Sequence, residues 1–113
     1  MIFIAKNEEG VPTWQLALQG KKKVTRRMKP MPVGKEFAIQ PSRGKFAVCR
    51  AQVVSCCNSL DHWTEHKTDI CNYKKAEAKL EGFNTWHGLM KFFEKNNINF
   101  MDTFRIEFEV LNV

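Results

Sequence analysis

The segment Gly20-Lys21-Lys22-Lys23-Val24-Thr25-Arg26-Arg27 packs five cations and one hydroxyl into eight residues, directly after the short apolar stretch Trp14-Gln15-Leu16-Ala17-Leu18. Such a cluster suits phosphate, because Lys and Arg supply positive charge together with several hydrogen-bond donors each. The excess extends outward. Residues 21 to 50 hold ten Lys or Arg against the single acid Glu36, and the rest of the chain holds eight cations against eleven acids. The formal net charge of +6 therefore comes from one region of an otherwise mildly acidic chain. A charge run alone reads equally well as a solvated turn on the way into a strand. One-sided charge on this scale favours a directed electrostatic patch, with nucleic acid as its partner.

Gly20, Lys22, Thr25 and Arg27 form a Gly-x-Lys-x-x-Thr-x-Arg pattern behind an apolar helix, and Ala78-Lys79-Leu80-Glu81-Gly82-Phe83 later puts an acid at the end of a short helix. In these two landmarks the chain resembles the ASCH domain, a small β-barrel family related in shape to the PUA RNA-binding modules. Residues 84 to 113, read as an amphipathic helix and a C-terminal strand of alternating apolar and acidic residues, extend the resemblance over nearly the whole chain. It implies an α+β fold, a small PUA-like mixed β-barrel with short flanking helices, formed by residues 1 to 113 as a single domain.

A Thr hydroxyl is a poor nucleophile until a base removes its proton, and a lysine is that base only when desolvation or neighbouring cations strip its own proton near neutral pH. Some ASCH members are small amidohydrolases acting on N4-acetylcytidine. Carried over by the resemblance, the catalytic group is Lys22, Thr25 and Glu81. Lys22 activates Thr25, Thr25 attacks the acyl carbonyl, and Glu81 orients Lys22 or handles the proton on the leaving amine. Arg27 or backbone amides near it would hold the oxyanion. The pattern departs from those enzymes at Lys23, where they carry Thr, and the extra cations suit phosphate better than a neutral nucleoside. Another branch of the family resembles a single-strand-preferring ribonuclease, for which Lys22, Arg26 and Arg27 would face the cut phosphate. Other members bind RNA without cutting it, and a non-catalytic role with protein is also open.

For binding, Lys21, Lys23, Arg26, Arg27, Arg43 and Lys45 are expected to track an RNA backbone while an aromatic stacks a base, each stack being worth roughly 1 to 3 kcal/mol. Trp63 is the better exposed aromatic candidate, in a polar stretch. Trp86 and Phe93 share helical spacing with Leu89 and Met90 and read as core. The expected ligand is RNA or a modified nucleoside, with no cofactor and no metal. Cys57, His62, His66 and Cys71 have a spacing that permits zinc without indicating it, since tight Cys-x-x-Cys knuckles are missing. The four cysteines lack the regularity of a small secreted framework and read as reduced thiols, with Cys49 in the core. No apolar run reaches transmembrane length, and Met1 to Ala5 is too short for a signal h-region. A cytoplasmic monomer is expected.

The elements that must position these residues follow from pattern. Pro12 and Thr13 open a helix that Gly20 stops. Lys22 to Met28 favours extended chain, with Lys22 in the turn so that it can meet Thr25. Glu36 to Gln40 reads as a strand, the turn Pro41-Ser42-Arg43-Gly44 follows, and Phe46 to Cys56 reads as a long strand, apolar on both faces and central to a closed sheet. Residues 58 to 72 read as a loop near the mouth of the cleft. Tyr73, Ala76 and Leu80 mark one amphipathic helix and Trp86, Leu89, Met90 and Phe93 another, separated by Gly82. Phe104, Ile106, Phe108 and Val110 alternate with Arg105, Glu107, Glu109 and Leu111 as a strand with one buried face.

Overall fold

The structure, a computed structural model, describes residues 1 to 111. The N-terminal segment runs beside the end of the second strand, where Ile2 bridges Gln40 in parallel. It turns at Asn7 to Gly10 and enters α1 (Thr13–Leu18) behind Pro12. After the Gly20 turn, at φ 74°, come β1 (Val24–Arg27) and β2 (Glu36–Ile39). Next are β3 (Cys49–Asn58), α2 (Ser59–His66), a 3-10 turn (Lys67–Asp69), α3 (Ile70–Leu80) and α4 (Trp86–Lys95). A second 3-10 turn (Phe100–Asp102) leads to β4 (Phe104–Val110). The strands form one antiparallel sheet in the order β1-β4-β3-β2.

The sheet is α+β architecture's curled half-barrel rather than the closed barrel expected from sequence. Among the described residues β1 and β2 lie at opposite edges and do not pair with each other. The register slips between Val53 and Ser55, leaving Val54 outside the ladder, and such irregularities bend a strand and increase its twist. Phe3, Ala17, Phe37, Ile39, Ala51, Val53, Ile106 and Phe108 fill one core against the sheet. Ala78, Phe83, Leu89, Phe93 and Phe100 form a second around α3 and α4, with Trp63, Trp86 and Met90 packed on it.

Four expectations change. β3 begins at Cys49, and Phe46 stands 97% exposed in the preceding loop, because Ser42 to Lys45 turn the chain before pairing starts. Residues 59 to 72 are helix and 3-10 turn, not loop. Asn58 caps α2 by accepting from the amides of Leu60 and Asp61, and Trp63 anchors that helix to the second core, so packing overrides a polar sequence. In α3 the buried residues are Tyr73, Glu77 and Ala78, while Ala76 is exposed. β4 buries both faces, since Arg105 is buried beside Ile106.

Gly82 closes α3 at φ 96°. A Cβ there would stand 3.2 Å from both Leu16 Cδ1 and Thr13 Cγ2, so this turn packs directly on α1. Gly82→Ala is expected to cost about 1 kcal/mol or more, from left-handed strain and crowding together. Urea unfolding of the variant checks this, and an unchanged midpoint would mean that the turn accepts a side chain.

Candidate active site

Val24, Thr25 and Arg26 are all buried, so both faces of β1 are covered although it is an edge strand. Arg26 lies directly across from Arg105 of β4, and two like charges at such a position repel. Glu77 of α3 resolves the conflict. Its Oε1 accepts from Arg26 Nη2 at 2.8 Å and from Arg105 Nε at 2.6 Å, and its Oε2 accepts from Arg105 Nη2 at 3.1 Å. Burial alone would raise the Glu77 pKa, and the hydrogen bonds and charges of Arg105 and Arg26 outweigh it, holding the carboxyl below its ordinary value.

The remaining donors of Arg26 are also used. Nη1 donates to Glu81 Oε2 at 2.5 Å and Nε to Ser59 Oγ at 3.1 Å. Ser59 Oγ stands 2.7 Å from Thr103 Oγ1, which donates to the Phe100 carbonyl. The guanidinium also covers the Phe100 ring, 4.2 Å from its centroid. Arg26 was a candidate phosphate contact. Its side chain is fully enclosed and held by two carboxylates, so it is a structural cation instead.

Lys22 precedes β1, outside its strand alternation, and is 5% exposed. Its Nζ donates to the carbonyls of Val24 at 2.7 Å and Glu81 at 2.9 Å and lies 5.0 Å from the centre of the Phe3 ring. The Glu81 contact is thus made by its backbone, while its carboxylate serves Arg26. Burial drives the Lys22 pKa down from 10.5 to about 7; the Glu81 charge resists, and Arg27 and Arg26 push further down. Two donated bonds use both N–H groups of a neutral amine and leave its lone pair free.

Lys22, Thr25, Arg26, Arg27 and Glu81 line one cavity of about 100 Å³, walled on its apolar side by Phe3, Phe83, Phe92 and Phe93 among others. The structure therefore brings together the three residues Lys22, Thr25 and Glu81 from sequence positions up to 59 apart. The space is small beside the roughly 300–1,000 Å³ of sites that bury a drug-sized ligand. It admits a reacting end and not a whole nucleoside. Ile2, Ile4 and Arg27 also line an open groove of about 800 Å³, with Lys35, Gln40 and Arg43 among its other walls and no acidic side chain among the described lining residues. Arg27 Nη2 donates to the Ile2 carbonyl, whereas its buried Nε has no partner among the described residues.

The other candidates are dispersed. Lys21, Lys23, Arg43 and Lys45 are exposed, and only Arg43 lines the groove. Trp63 is half-buried on α2, packed edge-on to Tyr73 and against Trp86, which removes it as a free stacking surface. One groove residue, Lys35, and one exposed loop residue, Phe46, escaped the sequence reading. Lys35 had no motif around it, and Phe46 was assigned to a strand. His62 and His66 do share a helix face, stacked at 4.4 Å, but His62 Nδ1 pairs with the Tyr73 hydroxyl and His66 Nδ1 with the His62 carbonyl. All four cysteines are free thiols, and burial raises the pKa of Cys49 and Cys57. No group of three or more His, Cys, Asp or Glu able to hold a metal occurs among the described residues. No described helix is long and apolar enough to cross a membrane.

The fold and cavity define an α+β protein with a curled antiparallel half-barrel and a lysine–threonine pocket opening beside a cationic groove. No protein-family model matches the sequence, and no curated protein or solved structure matches the chain.

Replacing Glu77 by Ala would leave Arg26 and Arg105 buried without a counter-ion, and a loss of about 3 to 5 kcal/mol in denaturant unfolding is expected. A loss below about 1 kcal/mol would mean that the arginines reach water in the variant.

Lys22 also gives the protein a pH-dependent stability. Between its folded value of about 7 and its ordinary 10.5 the unfolded chain holds more protons, so stability rises with pH across that window. The thiols of Cys49 and Cys57, which burial raises, act in the opposite sense from about pH 8 upward, and Tyr73, raised to about 12, only at higher pH; all three remain in the Lys22 variant. Urea unfolding between about pH 7 and about pH 8.5 should show a gain approaching about 1.4 kcal/mol per pH unit that Lys22→Met removes. The lowered Met1 amino group adds a slope of the same sign that survives in the variant, so the difference between the two proteins isolates Lys22. Parallel profiles for both would show that Lys22 is charged in the fold.

Proposed function

We propose that this chain is an ASCH-like, PUA-like domain that takes RNA or a modified nucleoside at its cationic groove and hydrolyses a small amide, of the N4-acetylcytidine kind, in the Lys22–Thr25 cavity. The carrying observation is the convergence of Lys22, Thr25, Arg27 and Glu81 on one small cavity. Neutral Lys22 accepts the Thr25 hydroxyl proton as Oγ1 attacks the acyl carbon. The carbonyl electron pair moves to oxygen, where the unpartnered Arg27 Nε supplies a donor. Collapse expels the amine, which takes the proton from Lys22, and water then cleaves the Thr25 ester to release the acid and restore the hydroxyl. Glu81 acts through Arg26 and through its carbonyl on Lys22, which makes its carboxylate a positioning group.

A neutral Lys22 explains how threonine chemistry would proceed at neutral pH without a separate base. The size of the cavity suits an acetyl group while the pyrimidine stays in the wider groove. The ribonuclease reading loses support because Arg26, one of its three phosphate contacts, is taken up by Glu77 and Glu81. In this reading the protein works as a monomer in the cytoplasm.

Incubation with N4-acetylcytidine, scored for cytidine and acetate, tests the proposal. Thr25→Val is expected to abolish turnover, Lys22→Met to reduce it about 10²- to 10⁴-fold, and the wild-type rate to rise with pH through about 7. Wild-type turnover by Thr25→Val would remove the nucleophile. Absence of turnover in the wild type, with RNA binding retained, would leave a binding module.

A further inference from the structure

We propose that Phe46, carried on the β2–β3 loop just after Arg43 and Lys45, is a base-stacking platform that receives single-stranded RNA and leads its backbone into the groove of Arg43, Lys35 and Arg27. This rests on the reading of the groove as an RNA path and names the residue that would hold the strand at its outer end. Phe46 is 97% exposed, the most exposed of the chain's large apolar side chains among the described residues. The loop that carries it is built. Gln40 Nε2 donates to the Lys45 carbonyl at 3.0 Å, the Lys45 amide to the Ser42 carbonyl at 3.3 Å, and the Val48 amide to Ile39 at 2.8 Å. Gly44 adopts φ 78°, a conformation that lets the tip reverse. The ring is presented to water on an anchored turn with no aromatic or cationic partner among the described residues, and every base offers a π-face to cover it.

Charge identifies the occupant. Lys45 adjoins Phe46 and Arg43 stands three residues before it, both exposed. Arg43 and Gln40 of the same loop also line the groove, whose described walls include Arg27 and Lys35 and no acid. An aromatic on the loop that also supplies Arg43 to a one-signed cationic groove combines the two elements that bind single strands without sequence preference, a stacking surface and a track for phosphates. A partner protein covering Phe46 would need acidic surface of matching shape, whereas a polyanion with exposed bases satisfies ring and groove together.

Fluorescence anisotropy with a labelled twelve-nucleotide single-stranded RNA tests this on the full chain, across a salt series. Phe46→Ala is expected to weaken binding about 5- to 100-fold with the salt slope unchanged, and Phe46→Trp to restore it, because stacking does not release counter-ions. Arg43→Ala is expected to reduce the slope by about 0.7, one phosphate contact on a single strand. N4-acetylcytidine turnover should be the same in Phe46→Ala as in the wild type, so a failed hydrolase leaves the platform standing and a failed platform leaves the hydrolase. Wild-type RNA affinity in Phe46→Ala overturns the proposal. Loss of binding to acidic phospholipid vesicles instead, with RNA binding intact, would reassign Phe46 to a membrane surface.

Discussion

Two arginines facing each other across β1 and β4 cannot share a dry interior unless an anion stands between them, and Glu77 is that anion. Arg26 then reaches a second carboxylate, Glu81, at the C-terminal end of the same helix. The cluster of two cations and two anions therefore ties α3 to the sheet at two successive helical turns. Buried ion groups of this sort are poor sources of stability, since each ion gives up several kcal/mol of hydration. Their consequence is register: the helix docks where both carboxylates meet Arg26, and Glu81 and Gly82 arrive beside Lys22 as a result.

The chemistry of the cavity depends on how that cluster distributes its partners. Because Arg26 occupies Glu81 Oε2, Lys22 is left with two backbone carbonyls and an aromatic ring. Carbonyl dipoles compensate a buried ammonium less than a carboxylate would, so desolvation prevails and the amine is half neutral near pH 7. The structural ion pair and the lowered pKa of Lys22 are thus two results of one arrangement. The small cavity and the open groove beside it share Ile2, Ile4 and Arg27 in their walls.

Sequence pattern located the strands, α1 and α4, although it started β3 three residues early and gave β4 a single buried face. It was misleading where tertiary contacts override composition. Residues 59 to 66 look like loop because the side that faces water is polar, and one packed Trp63 with the Asn58 cap makes them helix. Glu77 carried no signal at all: an acid on a charged helix is ordinarily solvated, and only the facing arginines turn it inward.

Lys22, Thr25 and Glu81 were grouped only through the resemblance to the ASCH family; the sequence by itself determined the order of the strands, α1, α3 and α4, the turn at Gly20 that frees Lys22 from strand alternation, and the location of the positive charge. These depend on residue type and local spacing. Which cations serve the fold and which face a ligand was decided only by the tertiary structure. Arg26 and Arg27 are neighbours with the same chemistry, yet one is locked between carboxylates and the other keeps an unpartnered donor at the cavity. Burial and partner choice are properties of what other segments bring into contact, and adjacent residues on a strand meet different faces of the molecule.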